Sequence, residues 1–237
     1  MPPMRAAAIG GSLCGSAALM AYAVRGRSSS LLGPSVYHGD RARRGIALTF
    51  DDGPGESTHE ILELLHRHQA PATFFFCGAN VRRLPDIARA VRSAGHEIGN
   101  HSYTHPRFYF QSAHFIYEEF RRTQDAIEDV LHLTPTLLRP PFGVRWFGFR
   151  RMQRRLGLRG VMWTVMSNDW SLTQDAIVTR VLHSARNGGI VCLHDGRELR
   201  ENPGITNTIE AVRRLLPALQ ARGYHFETVS QILCPTN

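Results

Sequence analysis

The chain has 237 residues, 43% hydrophobic and 20% charged, which suits one full-sized folded domain and excludes a disordered chain. Its four cysteines, Cys14, Cys77, Cys192 and Cys234, form no CxxC pair, which excludes a cysteine-based zinc module and a disulfide scaffold. The net charge of +8 is carried by 28 basic residues, all arginine, and residues 1–44 hold six of them against one acid. The rest of the chain is therefore only mildly basic, and nucleic-acid binding loses its main support.

Residues 6–24 (AAAIGGSLCGSAALMAYAV) are uncharged and follow Arg5, the pattern of a signal peptide or weak membrane anchor over 1–24. Ala21-Tyr22-Ala23 fits small-x-small cleavage after Ala23. Against this, Arg25 and Arg27 outnumber Arg5, which for an uncleaved helix places the following domain inside. Leu13-Cys14 lacks the small residue expected before a lipidated cysteine, so a lipoprotein is discounted. The expectation is export to the cell envelope or beyond, with any membrane association through this segment. Residues 25–44, rich in Ser, Arg and Gly, read as a basic linker ahead of a domain spanning 45–237.

From residue 45 onward, short β-rich runs alternate with helix-period segments. Strands are predicted at 46–52, 72–77, 97–101, 137–140, 160–165, 189–194 and 225–229, each bounded by Gly, Pro, Asn or Asp. Helices are predicted at 57–68, 82–94, 112–132, 173–186 and 207–222, with Gly95 and Gly223 as stops. About seven β/α units predict an α/β fold, a parallel barrel closed or nearly so, with its active site where strands end and loops begin.

The unusual residues fall at those ends. Asp51-Asp52-Gly53-Pro54 closes the first strand, and two adjacent carboxylates there repel unless something neutralises them. Because neighbours on a strand point oppositely, one can hold a cation while the other faces substrate or water; the competing reading is a solvated Asp-Gly-Pro turn. His101 and His105, four apart after the third strand, can converge on one cation, although HxxxH alone is a weak signal. Asp52, His101 and His105 together would give three ligands and an open position, the pattern of a catalytic zinc site. Arg139 in an otherwise apolar strand needs an acidic partner, naturally Asp51. Pro140-Pro141 stiffens the following loop and can aim the Phe142 N–H at the site. Asp169-Trp170 follows the fifth strand and His194 ends the sixth, where their location favours function over core packing.

These motifs, TFDDGP (49–54), HSYTH (101–105), RPPFG (139–143), SNDW (167–170) and CLHD (192–195), resemble in order those of the polysaccharide deacetylase family, the NodB-homology domain of family 4 carbohydrate esterases. GHEIGNHSYTHP (95–106) and TFFFCG (73–78) also fit, so the resemblance covers residues 45–233. It implies a distorted (β/α)7 barrel and a metal-dependent hydrolase that removes N-acetyl groups from an N-acetylglucosamine-containing glycan of chitin-oligomer or peptidoglycan type. By position it implies Asp52, His101 and His105 as ligands of Zn2+ or another divalent metal such as Co2+. Asp51 would be the general base tuned by Arg139, and His194 the general acid paired with Asp169. Phe142, Trp170, Cys192 and Pro141 would contact the substrate. Two positions depart from the family: Met166 stands where an acid is frequent, and Cys192 where leucine is favoured, so pocket shape and acyl-group size are in question rather than activity.

Two alternatives stay open. One is an inactive barrel that binds glycan without hydrolysing it. The other is a deacetylase or deformylase of a lipid-linked amino sugar, suggested by the aromatics of residues 108–120 (FYFQSAHFIYEEF) and by Arg145, Arg150, Arg151, Arg154 and Arg155. The plainer reading of those two stretches is a helix face packed on the barrel and a solvated basic helix. Relatives that open cyclic amides lie further off, since they need no export signal.

Overall fold

The computed structural model describes residues 4–235, with side chains described from residue 15 onward. The strands are β1 (Ser35–Val36), β2 (Gly45–Asp51), β3 (Thr73–Phe76), β4 (Glu97–Asn100), β5 (Leu137–Leu138), β6 (Arg159–Val161), β7 (Val165–Met166), β8 (Gly189–His194) and β9 (His225–Phe226). The helices are α1 (Met4–Arg25), α2 (Thr58–Arg67), α3 (Gly78–Arg83), α4 (Pro85–Ser93), α5 (Ala113–Leu131), α6 (Phe149–Leu156), α7 (Gln174–Ser184), α8 (Thr206–Ala221) and α9 (Val229–Leu233).

All strand pairs are parallel, in the order β1-β6-β5-β4-β3-β2-β8-β7, with β9 also on β2. The sheet curls into a distorted barrel, and residues 162–164 carry the chain from β6, next to β1 at one end of this order, to β7 at the other end. Strand alternation divides the core. Ile46, Leu48 and Phe50 of β2 pack outward with Phe74, Phe76 and the apolar stripes of the helices. Ala47, Phe75, Val161 and Ile190 fill the interior with Val229 and Ile232. In the β2–β8 register, Ala47 pairs with Ile190, Thr49 with Cys192 and Asp51 with His194. The inward column thus turns from apolar at the bottom to polar at the C-terminal mouth.

Residues 25–44 are not a linker. β1 pairs with β6 at the edge of the sheet, and the Arg145 guanidinium, fully buried, donates to the carbonyls of Ser29 (2.6 Å), Gly33 (3.2 Å) and Gly26. Arg27 donates to Thr164 O at 2.7 Å, and Arg43 pairs with Glu227 at 2.7 Å and Asp40 at 3.0 Å. The Ser/Gly-rich composition suggested a flexible link because it supplies few apolar side chains. What fixes the segment is its backbone carbonyls, which composition does not display. The folded unit therefore starts well before residue 45.

The Leu13-Cys14 pair lies outside the residues whose side chains are described. Among the described residues, no helix is long and apolar enough to cross a membrane.

Candidate active site

A cavity of about 1000 Å³ opens at the C-terminal mouth, lined among others by Asp51, Asp52, His101, His105, Phe142, Trp170 and His194. Asp51 is the last residue of β2, and Asp52 takes φ 72. That left-handed turn ends strand alternation, so both carboxylates face the same cavity instead of opposite sides of the sheet. Six residues lining the cavity, Asp52, His105, Phe142, Asn168, Glu198 and Asn202, have positive φ without being glycine. Such conformations cost roughly 1–3 kcal/mol each and persist where surroundings enforce them, commonly at functional sites.

Asp52 Oδ1 lies 3.1 Å from His105 Nε2 and 3.3 Å from His101 Nε2. His101 Nδ1 donates to Arg139 O at 2.8 Å, which orients the ring with Nε2 toward Asp52. Asp52 Oδ2 accepts the Glu198 N–H at 2.9 Å, whereas buried Oδ1 accepts no hydrogen bond. Burial works to raise the Asp52 pKa, but His105 and His101 hold it well below the usual carboxylate range. An orphaned carboxylate oxygen facing two imidazole nitrogens is a donor set suited to zinc or a similar divalent cation. The residues present fit such an ion.

On one side of this triad, Asp51 Oδ1 accepts from Arg139 Nη1 at 2.6 Å, and the same nitrogen reaches Thr49 Oγ1 at 2.7 Å. The buried guanidinium lies 4.2 Å from the Phe75 ring centroid and fills the upper barrel. Asp51 Oδ2 remains available to the cavity. On the other side, His194 Nδ1 donates to Asp169 Oδ1 at 2.7 Å. Asp169 is itself fixed by Ser167 Oγ (3.0 Å), Thr208 Oγ1 (2.8 Å) and the His194 N–H (2.9 Å). Burial works to lower the His194 pKa, but the Asp169 carboxylate raises it to about 9. The imidazole is therefore a cation at neutral pH, able to give up a proton. Trp170, half exposed, stands edge-on to His194 with ring centroids 5.3 Å apart. Phe142, at φ 55, packs against the His105 ring at 4.6 Å.

Two expected substrate contacts are displaced. Cys192 is fully buried and off the cavity wall: it sits one inward position below His194 on β8, with Sγ 3.4 Å from Asp51 Oδ2. Burial and the neighbouring Asp51 push its thiol pKa well above normal. Pro141 is also buried, within a 3-10 turn over Pro141–Gly143, and Pro140 lines the cavity in its place.

Other contributors carry no motif. Glu119 on α5 accepts the N–H groups of Tyr103 (3.0 Å) and Thr104 (2.8 Å) and so holds the loop between His101 and His105. Asn80 Nδ2 donates to both Asp52 O and Glu198 O at 2.8 Å, tying residues 196–204 over the site. Arg25, Arg107 and Trp163 add to the wall. A buried Glu on an otherwise amphipathic helix is the one signal that sequence offered for Glu119.

A donor triad suited to a cation lies between a held carboxylate and a charged imidazole at the mouth of a parallel barrel, an arrangement able to support metal-assisted hydrolysis. Comparison with known proteins narrows the class: residues 38–161 match the polysaccharide deacetylase family, and the chain belongs to that family. It is 34% identical over 194 residues to the peptidoglycan-N-acetylglucosamine deacetylase PgdA of Listeria monocytogenes, covering 81% of this chain and 39% of that protein. The chain thus spans about two fifths of that relative's length. It is also 34% identical over 198 residues to a chitooligosaccharide deacetylase of a Bradyrhizobium species, covering 80% of this chain and 90% of that one. Among solved structures, a family 4 carbohydrate esterase pseudoenzyme from Bacillus anthracis superposes with TM-score 0.77 at 28% identity, covering 84% of this chain and 69% of that one.

Proposed function

We propose that this protein hydrolyses the N-acetyl groups of N-acetylglucosamine units in a peptidoglycan- or chitooligosaccharide-type glycan, releasing acetate and leaving a free amine, with Zn2+ as the ion and Co2+ as the alternative. The observation that carries the reading is the joint placement of the Asp52–His101–His105 donors between Asp51 and His194.

When bound, the cation supplies Lewis acidity and lowers the pKa of a bound water from 15.7 to about 7. Asp51 Oδ2 takes the proton of the attacking water, while Arg139 keeps the carboxylate in place through Oδ1. The Phe142 N–H donates to the carbonyl oxygen as negative charge grows on it, a contact worth roughly 3–4 kcal/mol in comparable sites. His194 gives its proton to the departing nitrogen, because an amide otherwise expels a poor leaving group. Asp169 holds that imidazole and stabilises its charged form. Trp170 and Phe142 wall the acyl group.

Export and an envelope or extracellular location belong to the same proposal. They are supported by the uncharged run 6–24 and by Ala21-Tyr22-Ala23. N-terminal sequencing of the secreted protein tests this, with Val24 as the expected first residue.

A second reading, an inactive glycan-binding barrel, draws support from the likeness to the Bacillus anthracis pseudoenzyme. Its weakness is that both proton-transfer groups and all three donors are in place. The lipid-linked reading loses its cationic surface in part, because Arg145 and Arg150 are bonded to carbonyls of residues 26–33. Acetate release from N-acetylglucosamine oligomers, measured alongside bound metal, decides. Asp51→Asn is expected to keep the ion and lose at least ~100-fold in kcat, and His101→Ala to lose both. Near-normal turnover by Asp51→Asn would overturn the base assignment.

A further inference from the structure

A second set of donors sits beside the first. Asp51, Cys192 and His194 each present a ligand atom, and the three atoms lie within 4.8 Å of one another. All three project from the inward faces of neighbouring strands: Thr49 and Asp51 of β2 pair with Cys192 and His194 of β8. Cys192 Sγ is 3.4 Å from Asp51 Oδ2. Two bonds of zinc-like length to sulfur and oxygen, at a tetrahedral angle, subtend roughly 3.5 Å. His194 Nδ1 is occupied by Asp169, so its Nε2 is the nitrogen left for a cation. Asp51 and His194 both line the cavity, which gives an ion a way in, while the buried thiol lies behind them, 3.4 Å from Asp51 Oδ2.

We propose that Asp51, Cys192 and His194 form a second, lower-affinity site for a thiophilic divalent cation, and that its occupation shuts the enzyme off. Sγ and the imidazolium Nε2 of His194 each lose a proton to solvent as their bonds to the cation form. Asp51 Oδ2 and His194 Nε2 are then both committed, so the water proton has no acceptor and the leaving nitrogen no donor. The sulfur ligand sets the selectivity: thiolate favours Zn2+ and Cd2+, whereas Mg2+ and Mn2+ prefer oxygen. The site fills after the first one because its thiol must give up a proton, whereas Asp52 already offers an unpartnered oxygen, and because two close cations repel. Asp51 Oδ2 lies only 3.9 Å from His101 Nε2 of the first triad, and paired metal sites do occur at separations of roughly 3.5–4 Å. The inhibitory consequence rests on the deacetylase reading, whereas the binding does not.

The test adds Cd2+ stepwise to the metal-stripped full chain, counting bound ions by equilibrium dialysis and following the ultraviolet cadmium–thiolate band. The wild type is expected to bind two ions, with the band appearing alongside the second. Cys192→Ser and Cys192→Ala are expected to keep the first ion, which also reports that they fold. Their second-ion affinity should fall by at least the roughly 10–100-fold that lost supporting contacts cost at metal sites, and the band should disappear. Acetate release, scaled to each protein's rate with one equivalent of Zn2+, should fall with excess Zn2+ in the wild type and hold in both variants. A wild type that binds a single ion, or a band that survives in Cys192→Ser, overturns the proposal. Two bound ions with no acetate release under any condition would instead sink the deacetylase reading and leave the second site standing.

Discussion

Replacing Arg145 by Met tests whether residues 26–35 are structure or tether. The guanidinium is buried without a carboxylate partner among the described residues; its acceptors are the carbonyls of Gly26, Ser29 and Gly33 and, more weakly at 3.4 Å, Ser35 Oγ. Burial pushes its pKa below the ordinary arginine value, so the charge itself costs stability, and Met relieves that cost. The substitution also strands the carbonyls. Gly26 O keeps the Ser29 N–H as a donor, but Ser29 O and Gly33 O lose their partner, at about 1–3 kcal/mol each. The stranded acceptors outweigh the relieved desolvation, and the net expectation is a loss of about 3 kcal/mol. For a chain of this size that lowers Tm by roughly 6–12 °C.

Arg150 supplies the control. Its guanidinium also donates to carbonyls of the segment, at Ser30 and Leu31, but from an exposed position. Water replaces it there, so Arg150→Ala should cost less than about 1 kcal/mol. Urea denaturation of the two variants beside the wild type reads both values. Equal midpoints for Arg145→Met and Arg150→Ala would refute the reasoning. So would a chain starting at Gly45 that unfolds at the wild-type midpoint, since that chain has no β1 and no acceptors for Arg145.

Three further outcomes are expected. Activity should fall as pH rises through about 9, where His194 loses its proton; Asp169→Asn removes the carboxylate that raises this pKa, and the alkaline limb of kcat/KM should move down by at least one pH unit. Asp195 is buried with Oδ1 unpartnered and Thr58 Oγ1 donating to Oδ2 at 2.7 Å, and burial lifts its pKa from 3.8 to about 7. The folded form thus binds the proton more tightly than the unfolded form, and stability falls as pH rises from about 4 to 7. Asp195→Asn cannot titrate, so in metal-free protein its advantage should grow over that window, by roughly 4 kcal/mol at most, as read by urea midpoints at pH 4 and pH 8. Glu119→Gln leaves one oxygen to accept where two now serve Tyr103, Thr104 N and Thr104 Oγ1; metal affinity should weaken by roughly 10–100-fold, the usual effect of disturbing the support of a ligand, seen by dialysis.

Much of the barrel was legible because its signals are local. Apolar runs such as Ala47-Leu48-Thr49-Phe50 and Thr73-Phe74-Phe75-Phe76, stopped by Asp, Gly or Pro, mark β2 and β3 to within a residue or two. Predicted strand 160–165 is two strands, β6 and β7, because residues 162–164 leave the β1–β5 side of the sheet and join β8 at its far end. β1, two residues long, has no period to detect. At the site, the acids and imidazoles stood out because charged groups at strand ends need a reason. Their common orientation was not legible: alternation set Asp51 and Asp52 on opposite faces, and only the positive φ of Asp52 brings them together.

The same geometry explains why one barrel mouth holds four acids in four different conditions. Asp51 is neutralised by Arg139 through one oxygen, so its other oxygen is free to work on a proton. Asp52 meets one backbone N–H at Oδ2 but only imidazoles at Oδ1, and that orphan oxygen is what a cation needs. Asp169 is saturated by Ser167, Thr208 and His194, so it holds a charge without exchanging a proton. Asp195, under the Gly53 turn with a single hydroxyl donor to its side chain, is the one pushed toward neutrality. Residue type is constant across the four. What divides the proposed base, ligand and support from the neutral acid is the count and charge of donors each carboxyl meets, and those donors come from β8, the loops after β4, β5 and β7, the 196–204 loop, and helices α2 and α8.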